Sequence, residues 1–132
     1  MGKDRVKLTV PARSEYARTV RMAAAELAAR IGMSYDEVDD VRMAAEEAFV
    51  YATECAGGME AVTFAFEIDG GELSIEVGPL PACCMPQGGH AALESYAEFI
   101  LQSVCDEFAI VHEAGACVLR LCRRAGTEVT GA

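Results

Sequence analysis

Cationic side chains are missing from the middle of this 132-residue chain. Residues 43–119 contain no lysine and no arginine but carry 13 Asp and Glu side chains. The formal net charge is −10 and the isoelectric point is about 4.6. Nucleic acids and anionic membrane surfaces bind proteins through cationic patches, so this balance argues against both as partners. The basic residues are concentrated at the start, because residues 1–31 hold seven Lys and Arg against three Asp and Glu.

Three further features are absent from the sequence. No apolar run approaches the roughly 18 residues of a membrane span, and the start, Met-Gly-Lys-Asp-Arg, lacks the apolar segment of a signal peptide. None of the six cysteines forms a C-x-x-C pair, and the adjacent Cys83 and Cys84 make a poor zinc chelate without two further ligands. We therefore predict a cytoplasmic protein with reduced thiols and no metal site.

Apolar periodicity predicts the element order β-α-α-β-β-α-β-β over residues 1–132, taken as a single domain. The predicted strands cover 6–10, 62–68, 73–77, 109–111 and 117–122, and the predicted helices cover about 17–31, 34–54 and 91–106. Ser14 is predicted to cap the first helix. Gly78–Gly89 is predicted as a loop because it carries three prolines and three glycines. This order indicates an α+β fold, a two-layer α/β sandwich whose mostly antiparallel sheet has its helices on one face.

The second predicted helix has two faces of different character. Ser34 and Glu37 form a capping box at its start, and its core stripe contains Val38, Val41, Ala45, Ala48, Phe49 and Ala52. At 100° per residue, Glu47 and Tyr51 lie roughly opposite that stripe, beside Met43, Val50 and Glu54. This second face indicates the wall of a cleft or an interface. The alternative is a wide core stripe that includes Met43, Val50 and Tyr51.

The stretch Ser34–Ala48 resembles the bacterial anti-sigma-factor serine kinases, which are small members of the histidine-kinase-like (GHKL) ATPase superfamily. The resemblance covers about residues 5–124 and includes Leu8–Val10, Glu15–Arg18, Asp106–Phe108 and Gly115–Leu121. It implies the two-layer sandwich of that superfamily, with three main helices on one face of the sheet. The same order of elements follows from the apolar pattern alone.

The resemblance places the catalytic motif of the family on the second helix. That motif is a Glu that acts as general base, followed four residues later by an Asn that binds the magnesium ion of ATP. Glu47 matches the Glu, whereas Tyr51 stands where the Asn belongs. A phenol is larger than an amide and does not replace its oxygen as a compact magnesium ligand.

Two further nucleotide-binding motifs of the family are also altered. An Asp-x-Gly that binds adenine aligns with Pro79-Leu80-Pro81, and a shift of register brings Val77 or Glu76 to the Asp position. The Asp is missing in every register, because residues 70–105 contain no Asp. A Gly-x-Gly that meets the phosphates aligns with Ser95-Tyr96-Ala97, and Gly88-Gly89 would serve only after a shift.

The electrostatic pattern points the same way as the altered motifs. Like charges about 6 Å apart repel by roughly 0.7–3 kcal/mol for an effective dielectric constant of about 80 down to 20. The segments that should surround a triphosphate lie within residues 43–119, so the phosphates would meet carboxylates and no cation there. We predict that the chain uses no cofactor, and that ATP and magnesium would bind only if the site functions despite these changes.

The first helix carries the candidate partner-binding residues. The resemblance implies that Arg18 faces a sigma factor or its competing antagonist, and Arg13, Arg21 and Arg42 extend the same cationic surface. The leading hypothesis is an anti-sigma-like regulator that acts by partner switching and forms the homodimer typical of the family. One alternative is an active kinase that phosphorylates a serine of an antagonist protein. The other is a small-molecule-binding module lined by Tyr51, Pro79 and Pro81.

Overall fold

The computed structural model describes residues 3–55, 59–81 and 90–126. The strands are β1 (Asp4–Pro11), β2 (Ala61–Asp69), β3 (Glu72–Pro81), β4 (Glu107–Glu113) and β5 (Ala116–Arg124), and the helices are α1 (Ala17–Arg30), α2 (Tyr35–Cys55) and α3 (His90–Val104). The predicted element order and the α+β sandwich are therefore confirmed. None of the helices in these ranges combines the length and hydrophobicity that a bilayer crossing requires.

The five strands form one sheet in the order β1-β2-β3-β5-β4, and every neighbouring pair is antiparallel. Successive side chains of a strand point to opposite faces, so alternate residues share one face. On β2 these are Val62, Phe64 and Phe66, all fully buried. The ring centroids of Phe64 and Phe66 lie 6.0 Å apart, and Phe49 of α2 packs on Phe64 at 6.3 Å. Helix α2 therefore lies over the centre of the sheet and contacts α1 and α3.

The predicted start of α2 is confirmed by its hydrogen bonds. The Ser34 backbone N–H donates to Glu37 Oε1 at 2.7 Å, and the Glu37 N–H donates to Ser34 Oγ at 3.2 Å. The other oxygen, Glu37 Oε2, accepts from the Gly126 N–H at 2.6 Å, which ties the end of β5 to the start of α2. The hydrogen bond with the Ser34 backbone is the largest effect that holds the pKa of Glu37 below its usual value.

Two local predictions are wrong. Ser14 does not cap α1, because it begins a short 3₁₀ turn over Ser14–Tyr16 and α1 starts at Ala17 without a side-chain cap. Residues 78–81 do not belong to a loop, because β3 continues through Pro81. Leu80 and Pro81 pair with β5 after a register shift that follows Val77. Gly78 takes φ +133° at this shift, a conformation that other residues rarely adopt.

Candidate functional site

Glu47 lies on α2 and is half-buried. Burial raises the pKa of its carboxyl group above the ordinary value, and the charge of neighbouring Glu46 raises it further. A carboxyl group with a raised pKa exchanges protons more readily near neutral pH, as a general base requires. Glu47 is therefore a half-buried carboxyl group with a raised pKa at the position that aligns with the Glu of the family motif.

Tyr51 lies one helical turn beyond Glu47 but faces the protein interior, where its side chain is only 2% exposed. The prediction that it lies on a second face opposite the core is therefore wrong. The alternative prediction, a wide core stripe, is confirmed for Tyr51 but is wrong for Met43, whose side chain is 47% exposed. The missed signal is the series Ala44, Ala48 and Tyr51, because residues spaced by four and three share one face of a helix.

The Tyr51 side chain ends in a crevice between α3 and the sheet. Ala97, Glu98 and Leu101 of α3 line one side of this crevice, and Phe108, Ile110 and Leu119 line the other. These side chains leave no room for a water-sized occupant. Its described walls are apolar apart from the Tyr51 hydroxyl and Glu98, and they include no Asn and no cation.

The other aligned positions are spread over the sheet and α3. Val77 is fully buried in the core, whereas Pro79 is exposed. Glu76 points away from the helices and accepts a hydrogen bond from Arg120 Nε at 3.0 Å. Ala97 is buried and reaches the crevice beside Tyr51.

Several predicted positions do not join this crevice or lie outside the described part. Pro81 is half-buried and pairs with Ala116. Neither Pro79 nor Pro81 lines the crevice in the described part of the chain. The Ser95 side chain, Gly88-Gly89 and Cys83-Cys84 fall outside the described residues. Of the aligned ATP-site positions, the crevice brings Tyr51 and Ala97 together.

The described thiols are buried or half-buried rather than poised for reaction. Cys105, Cys117 and Cys122 are free cysteines. Burial is the main cause that raises the pKa of Cys105 and of Cys122 to about 12. Thiols of this kind are poor nucleophiles at neutral pH because they stay protonated. Within the described ranges, no group of three His, Cys, Asp or Glu side chains is arranged to hold a metal ion.

Helices α1 and α2 present a second candidate site on their outer surface. Arg21 of α1 pairs with Glu46 of α2 at 3.3 Å, and Arg42 pairs with Asp39 at 3.1 Å. These four residues and Met43 line an open groove of about 360 Å³.

Arg13 and Arg18 differ in how their charges are used. Arg13 pairs with Glu15 at 3.7 Å and lies over the Tyr16 ring at 5.5 Å. Arg18 is exposed and forms no ion pair with any described residue. Met22 of the same helix is 61% exposed, although its apolar side chain alone does not mark it as a surface residue. Of the candidate partner residues Arg13, Arg18 and Arg21, Arg18 is therefore the one that pairs with no carboxylate in the described part of the chain.

Comparison with known proteins identifies the family of the chain. Residues 10–79 match the histidine kinase-like ATPase domain family. The chain is 24% identical to the serine-protein kinase RsbW of Bacillus thuringiensis (strain Al Hakam), over 88% of this chain and 82% of that protein. The same identity and coverage hold for the serine-protein kinase RsbW of Bacillus anthracis (strain A0248).

A solved structure agrees in fold. The crystal structure of the RsbU and RsbW domains of Rv1364c from Mycobacterium tuberculosis superimposes with a TM-score of 0.69 at 20% sequence identity. It covers 98% of this chain, which spans 34% of that longer protein. The chain belongs to the histidine kinase-like ATPase domain family and resembles, within it, the bacterial anti-sigma-factor serine kinases.

Proposed function

We propose that this protein is an anti-sigma-type regulator that acts by protein–protein binding and partner switching, without using ATP. The observation that carries the proposal is the buried Tyr51 ring, which occupies the position of the magnesium-binding Asn in the family motif. A magnesium ion takes hard oxygen ligands with nearly octahedral geometry and keeps several waters. The crevice that Tyr51 fills offers neither the ligand nor the room for those waters.

The charge distribution supports the same proposal. The described walls of the crevice carry Glu98 and no Lys or Arg, whereas proteins that bind triphosphates supply cations or a bound magnesium ion to offset the phosphate charge. A triphosphate placed here would meet carboxylate repulsion that no nearby described side chain compensates.

Partner binding is assigned to the outer surface of α1. Because Arg18 is exposed and its guanidinium pairs with no carboxylate of the described residues, we expect it to be available to an acidic side chain of another protein. Arg13 and Arg21 already form ion pairs with Glu15 and Glu46. We therefore expect these two arginines to contribute less to the attraction of the partner than Arg18 does. The partner we propose is a sigma factor or an anti-sigma-factor antagonist, bound by a cytoplasmic homodimer.

An active serine-protein kinase is the second candidate function. Glu47 supports it, because the carboxyl group keeps the position of the general base and burial raises its pKa. A kinase would transfer phosphate from ATP to a serine of the antagonist, and Glu47→Gln would abolish that transfer. Incubating the protein and its captured partner with labelled ATP and magnesium therefore separates the two functions. Our proposal predicts no incorporated phosphate.

Capture of the partner from native cell extract tests the binding surface. Arg18→Glu should weaken capture about 10- to 100-fold, since a hydrogen bond to a charged group contributes about 1.5–3 kcal/mol. Arg30→Glu is the matched control, because Arg30 is an exposed arginine at the other end of the same helix. It should retain the partner. An Arg18→Glu protein that still captures every partner of the wild type would overturn the assignment.

A further inference from the structure

Strand β4 lies at an edge of the five-stranded sheet, and its sequence contains no lysine and no proline. In the described part of the chain it pairs with β5 alone. Edge strands are commonly protected by lysine, proline or a bulge. The opposite edge, β1, carries Lys7 and Pro11, whereas the centre of β4 is the uninterrupted apolar run Phe108–Val111.

The turn between β4 and β5 fixes which backbone groups face the open side. Ala114 and Gly115 form a two-residue turn with φ of 46° and 79°, as in the tight turns typical of hairpins. The residues that flank such a turn bond to each other, and bonded pairs then alternate along the ladder. Val111 therefore bonds to β5, whereas the backbone groups of Ile110 and His112 point to the open edge.

The same edge exposes apolar surface that an added strand would cover. Phe108 and Ile110 point toward the helices but remain half-buried because no further strand lies beside β4 in the described structure. With Glu98 and Leu101 they line the crevice between α3 and the sheet. Inward-facing side chains of a sixth strand would pack against Phe108 and Ile110 below α3.

Charge decides which kind of segment fits this edge. Residues 90–113 carry five carboxylates and no Lys or Arg, and Glu98 is exposed at the rim of the crevice. A second β4 paired antiparallel about Ile110 would bring Glu107, which Arg124 of β5 already pairs at 2.8 Å, opposite Glu113. Like charges directly opposite each other destabilise a sheet, and one Arg124 offsets only part of this repulsion. A basic segment brings opposite charges instead. The β1 strand of a second copy is basic, but pairing it with β4 joins unlike edges and gives open chains.

We propose that the β4 edge is a second docking site, which binds an extended basic segment of a partner protein as an antiparallel sixth strand. Helix α3 contacts β4, whereas Arg18 lies on α1, which packs against α2. The segment bound at β4 and the partner bound at Arg18 therefore engage different surfaces of the molecule. The β4 site does not depend on the Arg18 assignment.

Hydrogen exchange of the 132-residue protein tests this site when it is measured with and without a fluorescent peptide that alternates lysine and valine. Millimolar peptide should protect the amides of Ile110 and His112. His112→Pro should weaken binding about tenfold, because it removes a donor from the open edge without removing a bond to β5. His112→Ala is the matched control and should bind as the wild type does. Arg18→Glu should also bind normally, which separates this test from that of the proposed function.

A second variant keeps the test decisive if the proline affects folding. Glu98→Lys leaves the β4 backbone unchanged, and it should weaken the lysine peptide and strengthen a matched peptide that alternates glutamate and valine. Three results would overturn the proposal. The first is no protection of the Ile110 amide at millimolar peptide, and the second is equal affinity for both peptides. The third is the same protection in the protein without peptide, together with an increase in particle size measured by sedimentation, which would assign the edge to a second copy.

Discussion

Replacement of Tyr51 by alanine probes the filled crevice most directly through stability. The ring is 2% exposed, and it packs among Ala97, Leu101 and Leu119. Removing a buried aromatic ring costs about 3–5 kcal/mol, because transfer free energy is lost and a cavity remains. Since domains are stable by only about 5–15 kcal/mol, Tyr51→Ala should remove a large part of the free energy of unfolding. Urea unfolding followed by circular dichroism measures the change.

Two controls make the Tyr51 result specific. Tyr51→Phe keeps the buried ring and removes only the hydroxyl group, so it should cost less than about 1.5 kcal/mol. Tyr35→Ala removes the same ring from the same helix at a site that is 89% exposed, and should change stability by less than about 0.5 kcal/mol. If Tyr51→Ala costs no more than Tyr35→Ala, the ring does not fill the crevice and our reasoning about the site fails.

Three further predictions concern the fold around the site. Ser34→Ala should lower the free energy of unfolding by about 1 kcal/mol through loss of the α2 cap, whereas Ser14→Ala, which removes no helix cap, should leave the urea midpoint unchanged. Gly78→Ala should cost about 1–3 kcal/mol in the same assay, because φ is +133° and the added Cβ would lie 3.0 Å from the Cys117 carbonyl oxygen. The pKa of Glu37 is lowered in the fold, so the stabilising effect of its carboxylate is complete above the ordinary pKa of 4.5 and is lost as pH falls through the lowered pKa. In acid titrations monitored by circular dichroism, Glu37→Gln should lack this part of the pH dependence of stability. An unchanged profile would contradict the assignment.

Local patterns in the sequence predicted most of the fold. The alternation of Val62, Phe64 and Phe66 identified β2, because every second side chain of a half-buried strand faces the core. Ser34 and Glu37 identified the start of α2, because a capping box acts between residues only three positions apart. Features of this kind depend on neighbours in sequence, so they can be found without knowing the fold.

Contacts between distant residues could not be predicted in this way. The extension of β3 depends on pairing of Leu80 with Cys117, whereas the local Gly and Pro content is typical of a loop. The bond between Gly126 and Glu37 joins residues 89 positions apart. The prediction for the Tyr51 side chain was wrong because small alanine side chains only weakly indicate which face of a helix is buried. The burial of Tyr51 also depends on the positions of α3 and β5, which are distant in sequence.

Equilibrium titration of the purified protein with a fluorescent ATP analogue and magnesium measures whether this member of the histidine kinase-like ATPase family binds nucleotide. The filled crevice beside Tyr51 and the missing cations predict no saturable binding at micromolar concentrations. Saturable binding with micromolar affinity, displaced by unlabelled ATP, would contradict the account.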